Sequence, residues 1–206
     1  SVENVGIIAL GLGTGLLGVA FRSPALAVLG FAGGLLHVLN HALFKGLLFL
    51  GAGAVLHATG TTEIDRLGGL QKRMPWTGIA FLVGAAAISG LPPLNGFVSE
   101  FLIFLGALGA ATELAPAAAV PALATIASLA LMGGLAVACF AKAFGAVFLG
   151  EPLTSAGASA HDPGPLMVLP MLVLAAACAL IGVCGPLALR LLAPAVGQVS
   201  GLSAEL

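Results

Sequence analysis

Along this chain the informative pattern is the length of the stretches without charge. Residues 4–21, 74–99, 114–141 and 163–189 contain no Asp, Glu, Lys or Arg, and 23–44 contains none either, although it holds His37 and His41. A helix needs roughly 20 apolar residues to cross the hydrocarbon of a bilayer, and these stretches reach that length. They do not alternate apolar with polar residues as barrel strands would, so the pattern predicts helices. The fold class it gives is all-α: a polytopic transmembrane helix bundle with about six spans, at 2–21, 25–58, 76–90, 97–113, 121–149 and 166–192.

The punctuation fits that division. The span at 25–58 exceeds what a bilayer requires, so a tilt or an irregularity around Gly33 and Gly34 is expected. The segment 59–75 carries Glu63, Asp65, Arg66, Lys72 and Arg73 and reads as an extramembrane loop. Pro92 and Pro93 remove two backbone donors in a row and force a break. A Ser/Gly/Pro-rich loop with Glu151, His161 and Asp162 precedes the last span. Residues 1–192 are assigned to the membrane domain and 193–206 to a tail or linker. The loop at 59–75 holds three of the seven basic residues, which favours the cytoplasm, and with six separate spans the loop at 151–165 would then lie outside.

Composition sharpens the class. Of 206 residues 60% are hydrophobic and 7% charged, against about 25% charged in soluble domains. A buried core of a large soluble protein would need polar surface that this chain does not have. A net charge of -1, with no basic cluster, removes nucleic acid as a partner. Cys139, Cys178 and Cys184 stand apart in apolar runs, so they read as small hydrophobes rather than as a disulfide, zinc or iron–sulfur set. Ser1 opens no signal peptide and leads straight into a span, so an internal portion of a longer protein is expected.

Gly13, Gly15 and Gly18 spell the dinucleotide-cradling pattern GxGxxG, but that pattern carries meaning only after a strand in a βαβ unit. Inside a membrane span, small residues for close helix packing are the better reading, with Gly11 and Gly15 at GxxxG spacing.

The candidate chemistry lies on the second span. His37, His41 and Lys45 follow at i, i+4, i+8, a polar stripe along one helix face, with Asn40 toward its flank. A lysine that deep in an apolar run costs about 2.5 to 3.5 kcal/mol on insertion scales, so Lys45 is expected to face a bundle interior or a hydrated path. Titratable groups in such a row suit a proton relay. The plain alternative has Lys45 reaching the interface and the histidines serving as packing residues. Metal or haem ligation by His37 and His41 is a third reading, opposed by the absence of a further soft ligand and by the charge of Lys45. Neither metal nor cofactor is therefore expected. Glu3, at the start of the first span, and Glu100, after the Pro92-Pro93 break, are the carboxylate candidates. Lys142 reads as a second protonatable station or a lysine extending to the interface, while His57 and Arg190 suit the interface. No Ser-His-Asp or Cys-His set is available for nucleophilic catalysis.

The segment His37-Val38-Leu39-Asn40-His41-Ala42-Leu43-Phe44-Lys45-Gly46-Leu47-Leu48-Phe49-Leu50 resembles the central motif of the proton-translocating, antiporter-like membrane subunits. Those are the large subunits of NADH:quinone oxidoreductase, of multisubunit cation/proton antiporters and of membrane-bound hydrogenases. Ile64-Asp65-Arg66-Leu67-Gly68-Gly69-Leu70, Met74-Pro75 and the run from Ser89-Gly90-Leu91-Pro92-Pro93 through Asn95-Gly96-Phe97-Val98-Ser99-Glu100 agree. Val2-Glu3-Asn4-Val5-Gly6 and Ala141-Lys142-Ala143-Phe144 incline the resemblance toward the hydrogenase-4 and formate hydrogenlyase branch. It implies the later half of a longer helix bundle in a bacterial inner membrane. Partner membrane and peripheral subunits would carry out the electron transfer, so the chain itself would pump rather than catalyse. By position Lys45 would be the central-axis lysine, His37 and His41 its connecting histidines, Lys142 the distal-channel group, and Glu100 and Glu3 further relay candidates. The alternatives are a structural anchor without an ion path or a cation/proton antiporter subunit.

Overall fold

The structure, a computed structural model, describes residues 2–201. Its long helices are α1 (Val2–Ala20), α2 (Pro24–Thr59), α3 (Pro75–Ile88), α4 (Asn95–Glu113), α5 (Pro116–Phe148), α7 (Pro165–Val183) and α8 (Gly185–Ser200), with a short α6 (Ser155–Ser159). Five of them, α1, α2, α4, α5 and α7, are long and apolar enough to cross a membrane, and α3 is a shorter apolar helix of 14 residues. The all-helical bundle expected from the charge-free stretches is therefore present, and among the described residues there is no strand.

Helix α2 is the axis of the bundle. It runs unbroken for 36 residues, with Pro24 in its first turn and a left-handed cap at Gly60 (φ 71°). The irregularity expected at Gly33 and Gly34 is absent; these glycines instead let neighbours approach. A Cβ on Gly33 would stand 2.7 Å from Ile103 Cγ1 of α4, and one on Gly11 of α1 would stand 2.7 Å from Gly34 Cα. Gly15 and Gly18 of α1 likewise face Phe31 and Ala27, whereas Gly13 meets nothing within 4 Å. The packing row is thus Gly11, Gly15 and Gly18, and the GxGxxG spelling is a coincidence of spacing.

The expected spans are present as five membrane-length helices and one shorter apolar helix, and the structure adds how they stack along α2. Passing from α3 to α4, the chain moves steadily down α2: Phe81 meets Gly51, Gly84 meets Leu47 and Leu48, Asn95 bonds Asn40, Ile103 meets Gly33, and Gly109 meets Leu26. The two helices lie end to end, broken at Ser89–Leu94 by the prolines, and make one discontinuous crossing. Helices α7 and α8 do the same, with Leu174 against Gly46, Cys178 in one core cluster with Phe44, and Val196 in another with Ala27. The span expected to run to 192 therefore ends at Val183, and Gly185-Pro186 opens a new helix that takes in most of the expected tail, of which 202–206 lie outside the described residues. The two breaks touch: a Cβ on Gly182 would run into Pro93 O, and one on Gly185 would lie 3.1 Å from Val98 Cγ1.

The loops confirm this count. Lys72 Nζ donates to Glu151 Oε1 at 2.6 Å, Gly69 N to Leu149 O at 2.8 Å, and Thr154 Oγ1 to Arg66 O at 3.2 Å. Asp162 closes the N-terminus of α3, accepting from Trp76 N at 3.1 Å, Thr77 N at 3.0 Å and Thr77 Oγ1 at 2.7 Å. Segments tied in this way share one side of the membrane, so the loop at 151–165 does not lie opposite the loop at 59–75. An even number of crossings must separate them, and α3 with α4 counts once.

Candidate functional site

One cluster of buried polar residues lies at the level of the break between α3 and α4. Four helices contribute: Asn4 from α1, His37 and Asn40 from α2, Asn95 and Ser99 from α4, and Cys178 from α7. All six side chains are buried. Burying amides among Leu and Ala is costly unless their hydrogen bonds are made, and here most are. His37 Nδ1 lies 2.9 Å from Ser99 Oγ and Nε2 lies 3.1 Å from Asn4 Oδ1. Asn40 Nδ2 donates to Asn95 O at 2.7 Å and to Ser99 Oγ at 3.0 Å, and Asn95 Nδ2 returns a bond to Asn40 Oδ1 at 3.1 Å. The carbonyl of Asn95 falls in the first turn of α4, so Asn40 fastens the restarted helix to α2. Asn4 Nδ2, Asn95 Oδ1 and His41 Nε2 are buried with no hydrogen-bond partner among the described residues.

The stripe read from the sequence is real but winds. Each i to i+4 step advances about 40° around a helix, so Lys45 points about 80° away from His37. His37 is accordingly in the core, while His41 and Lys45 are half-buried toward the bundle surface. Phe44 sets its edge against both rings, at 6.0 Å from His37 and 5.7 Å from His41. Lys45 Nζ sits 5.3 Å from the centre of the Phe49 ring, and no carboxylate pairs with it among the described residues. Asn40, expected on the flank, is at the centre of the cluster.

The other candidates divide. Glu3 and Glu100 are half-buried and within electrostatic reach of each other, and the Glu100 carboxylate rests on Gly90 at the break. Lys142 is exposed on α5, and Arg190 lines an apolar cavity of about 340 Å³ between α2, α4 and α8. His57 is exposed near the end of α2. No group of three metal-ligating side chains occurs among the described residues. Sequence reasoning missed Asn4, Asn95, Ser99 and Cys178. The available signal was an amide or hydroxyl standing alone in a charge-free stretch, which in a membrane calls for a partner on another helix.

Comparison with known proteins agrees with this architecture. The chain is 45% identical to hydrogenase-4 component B of Escherichia coli over 181 residues, covering 88% of this chain and 27% of that protein. It is 46% identical to formate hydrogenlyase subunit 3 of the same organism over 203 residues, covering 95% of this chain and 32% of that protein. With a Na(+)/H(+) antiporter subunit of Alkalihalophilus pseudofirmus it shares 42% identity over 117 residues, 55% of this chain and 14% of that one. The chain thus spans less than a third of the length of these relatives. Among solved structures it resembles the membrane-bound sulfane sulfur reductase, an archaeal respiratory membrane complex, at TM-score 0.67 and 30% identity, over 87% of this chain and 26% of that one. The Mrp complex from a Dietzia species shares the fold at TM-score 0.72 and 22% identity, over 98% of this chain and 48% of that one. The family described as NADH:quinone oxidoreductase/Mrp antiporter, TM, matches residues 13–143, and the chain belongs to this family of membrane subunits.

Proposed function

We propose that this chain is part of the proton-translocating membrane subunit of a redox-driven complex of the hydrogenase-4 or formate hydrogenlyase kind. Protons move along the His–Lys axis of α2, with Lys45 at its centre, and partner membrane and peripheral subunits carry out the electron transfer. The observation that carries the reading is Lys45 itself. It is a half-buried ammonium in the middle of a 36-residue apolar helix, with no carboxylate partner among the described residues, one turn from His41. Such a group is tolerated in a membrane where it meets water or a partner that exchanges its proton. Glu3 and Glu100, at the depth of the break, are read as further stations, and Lys142 as one shared with the remainder of the full-length subunit.

The test is Lys45→Ala in the full-length subunit within its complex. Proton transport per redox turnover is expected to fall about 10²-fold, in the range of a lost acid–base group, with the assembled amount preserved. Undiminished transport refutes the axis; lost assembly without a coupling defect supports a purely structural anchor. The match to an antiporter subunit favours a second reading, cation/proton exchange, which would proceed under an imposed cation gradient with the redox reaction stopped.

A further inference from the structure

Two cavities adjoin where the C-terminal end of α8 comes up to the turn between α1 and α2. The larger, about 340 Å³, is walled by Val28 and Ala32 of α2, Leu102 of α4 and one face of α8. That face runs from Pro186 through Ala193 to Ser200, about 21 Å along the helix at about 1.5 Å per residue, so the cavity is long for its volume. The smaller, about 210 Å³, lies against Arg22, Ser23 and Pro24 of the turn, and Ser200 lines both. A cavity walled by Leu, Val and Ala holds water poorly, and beside a bilayer the filler at hand is hydrocarbon.

The rim has a different chemistry. Arg22 and Arg190 are the charged residues that line the two cavities, and no Asp or Glu lines either. Both arginines are exposed, and neither has an ion pair among the described residues. Arg22 also holds a backbone conformation that suits another residue. Ser23 N donates to Gly18 O at 2.8 Å and Arg22 N to Val19 O at 3.1 Å, the two bonds that close a helix on a left-handed residue. That residue is Arg22, at φ 54°. The other positive-φ positions among the described residues, Gly60, Gly69, Gly90, Gly150 and Gly201, are all glycine. An arginine kept where glycine is unstrained points to a use for its side chain.

We propose that the two cavities form a binding site for one anionic phospholipid, its phosphate held at the turn by Arg22 and Ser23 and one acyl chain laid along α8 in the apolar cavity, with Arg190 as the second cation on the rim. A guanidinium presents paired N–H donors that match phosphate oxygens. A zwitterionic headgroup brings a cation of its own, and no carboxylate lines the cavities to receive it. Each arginine near an anionic headgroup contributes a preference of about 5-fold. The occupied site braces the end of α8 against the α1–α2 turn. It is separate from the α2 axis, and its test reads lipid binding rather than transport.

The experiment places the full-length subunit, in its assembled complex, in phosphatidylcholine bilayer discs. Phosphatidylglycerol or phosphatidylcholine with a photoreactive group on the acyl chain is added as the probe, and peptide mapping after illumination locates the label. Phosphatidylglycerol is expected to label α8 between Pro186 and Ser200 about 10-fold more than phosphatidylcholine does. Arg22→Gly and Arg190→Gln should each lower that labelling about 5-fold. In lipid-free detergent the unfolding midpoint of Arg22→Gly should hold or rise, because glycine relieves the turn. Ala193→Trp, which fills the apolar cavity, should abolish the label. Equal labelling by the two lipids, or labelling unchanged in both arginine variants, overturns the proposal. So does an α8 that neither lipid labels, since another segment of the subunit or a partner then covers the cavity. A lowered midpoint in Arg22→Gly makes that arginine structural and removes it from the headgroup site. If Ala193→Trp does not assemble, the two arginine variants decide.

Discussion

Replacing Asp162 by Ala should destabilise the bundle by about 2–4 kcal/mol, although Asp162 lies in a loop remote in sequence from the helix it serves. Its carboxylate takes three hydrogen bonds from the first turn of α3, from Trp76 N, Thr77 N and Thr77 Oγ1. Trp76 is exposed and water can replace its bond, but Thr77 is fully buried. Removing the acceptor strands its amide and hydroxyl donors at about 1–3 kcal/mol each and forfeits up to about 1 kcal/mol of helix-dipole attraction. The hydroxyl recovers part of its loss by turning to a backbone carbonyl in the preceding turn. Asp162→Asn keeps one acceptor oxygen and should cost about half as much. Equilibrium unfolding of the full-length subunit in mixed micelles measures these differences, and Thr77→Val in both backgrounds isolates the pair. A change below about 0.5 kcal/mol in Asp162→Ala, or a Thr77→Val effect of the same size with and without Asp162, would refute the capping argument.

Further outcomes follow from the same geometry. Gly182→Ala would place a methyl group on Pro93 O and should cost about 1–3 kcal/mol by overpacking, whereas Gly13→Ala, with nothing within 4 Å, should stay within about 0.5 kcal/mol in the same unfolding assay. Single cysteines at Lys72 and Glu151, in a background without native thiols, should react with an impermeant reagent from the same face of sealed vesicles. Labelling from opposite faces would rule out the shared crossing of α3 and α4. The hydrogen bond and charge of Lys72, with help from Arg73, hold the Glu151 carboxyl below the ordinary carboxylate range. A depressed value means that the tie is present above the unfolded value, about 4.3, and is lost as pH falls through the folded one. Proteolytic nicking of the 150–164 loop should therefore increase in acid, and Glu151→Gln should abolish that pH dependence.

Much of the fold was legible because charge-free length and proline placement are local properties. The start of α2 at Pro24, the polar segment between α2 and α3, and the break at Pro92-Pro93 are all written into short stretches of sequence. That α3 and α4 divide one crossing is a tertiary fact, set by Asn40 gripping Asn95 and by two loops bonding to each other. The restart at α8 carried a readable sign, Gly185-Pro186, with proline in the first helical turn where its missing N–H costs nothing. At the site, His41 and Lys45 announce themselves as titratable groups in an apolar run. The exchange of roles between Asn40 and the stripe was hidden because a four-residue step drifts around the helix. Which rows face inward is decided by the partners Asn4 and Ser99, more than thirty positions away.

The two interrupted crossings flank one uninterrupted helix, and this distributes stiffness unevenly across the bundle. An α-helix resists bending because each peptide is tied to the fourth along, and α2 keeps that ladder throughout its length. Along the paths of α3–α4 and α7–α8 the ladder lapses at a single depth, at Ser89–Leu94 and at Cys184. A displacement applied to the loop side is thus transmitted in full by α2, whereas beside it the strain can be absorbed at the break. The plane where the bundle yields is also the plane holding Asn95 and Ser99, whose distances to Asn40 and His37 would be the first to change.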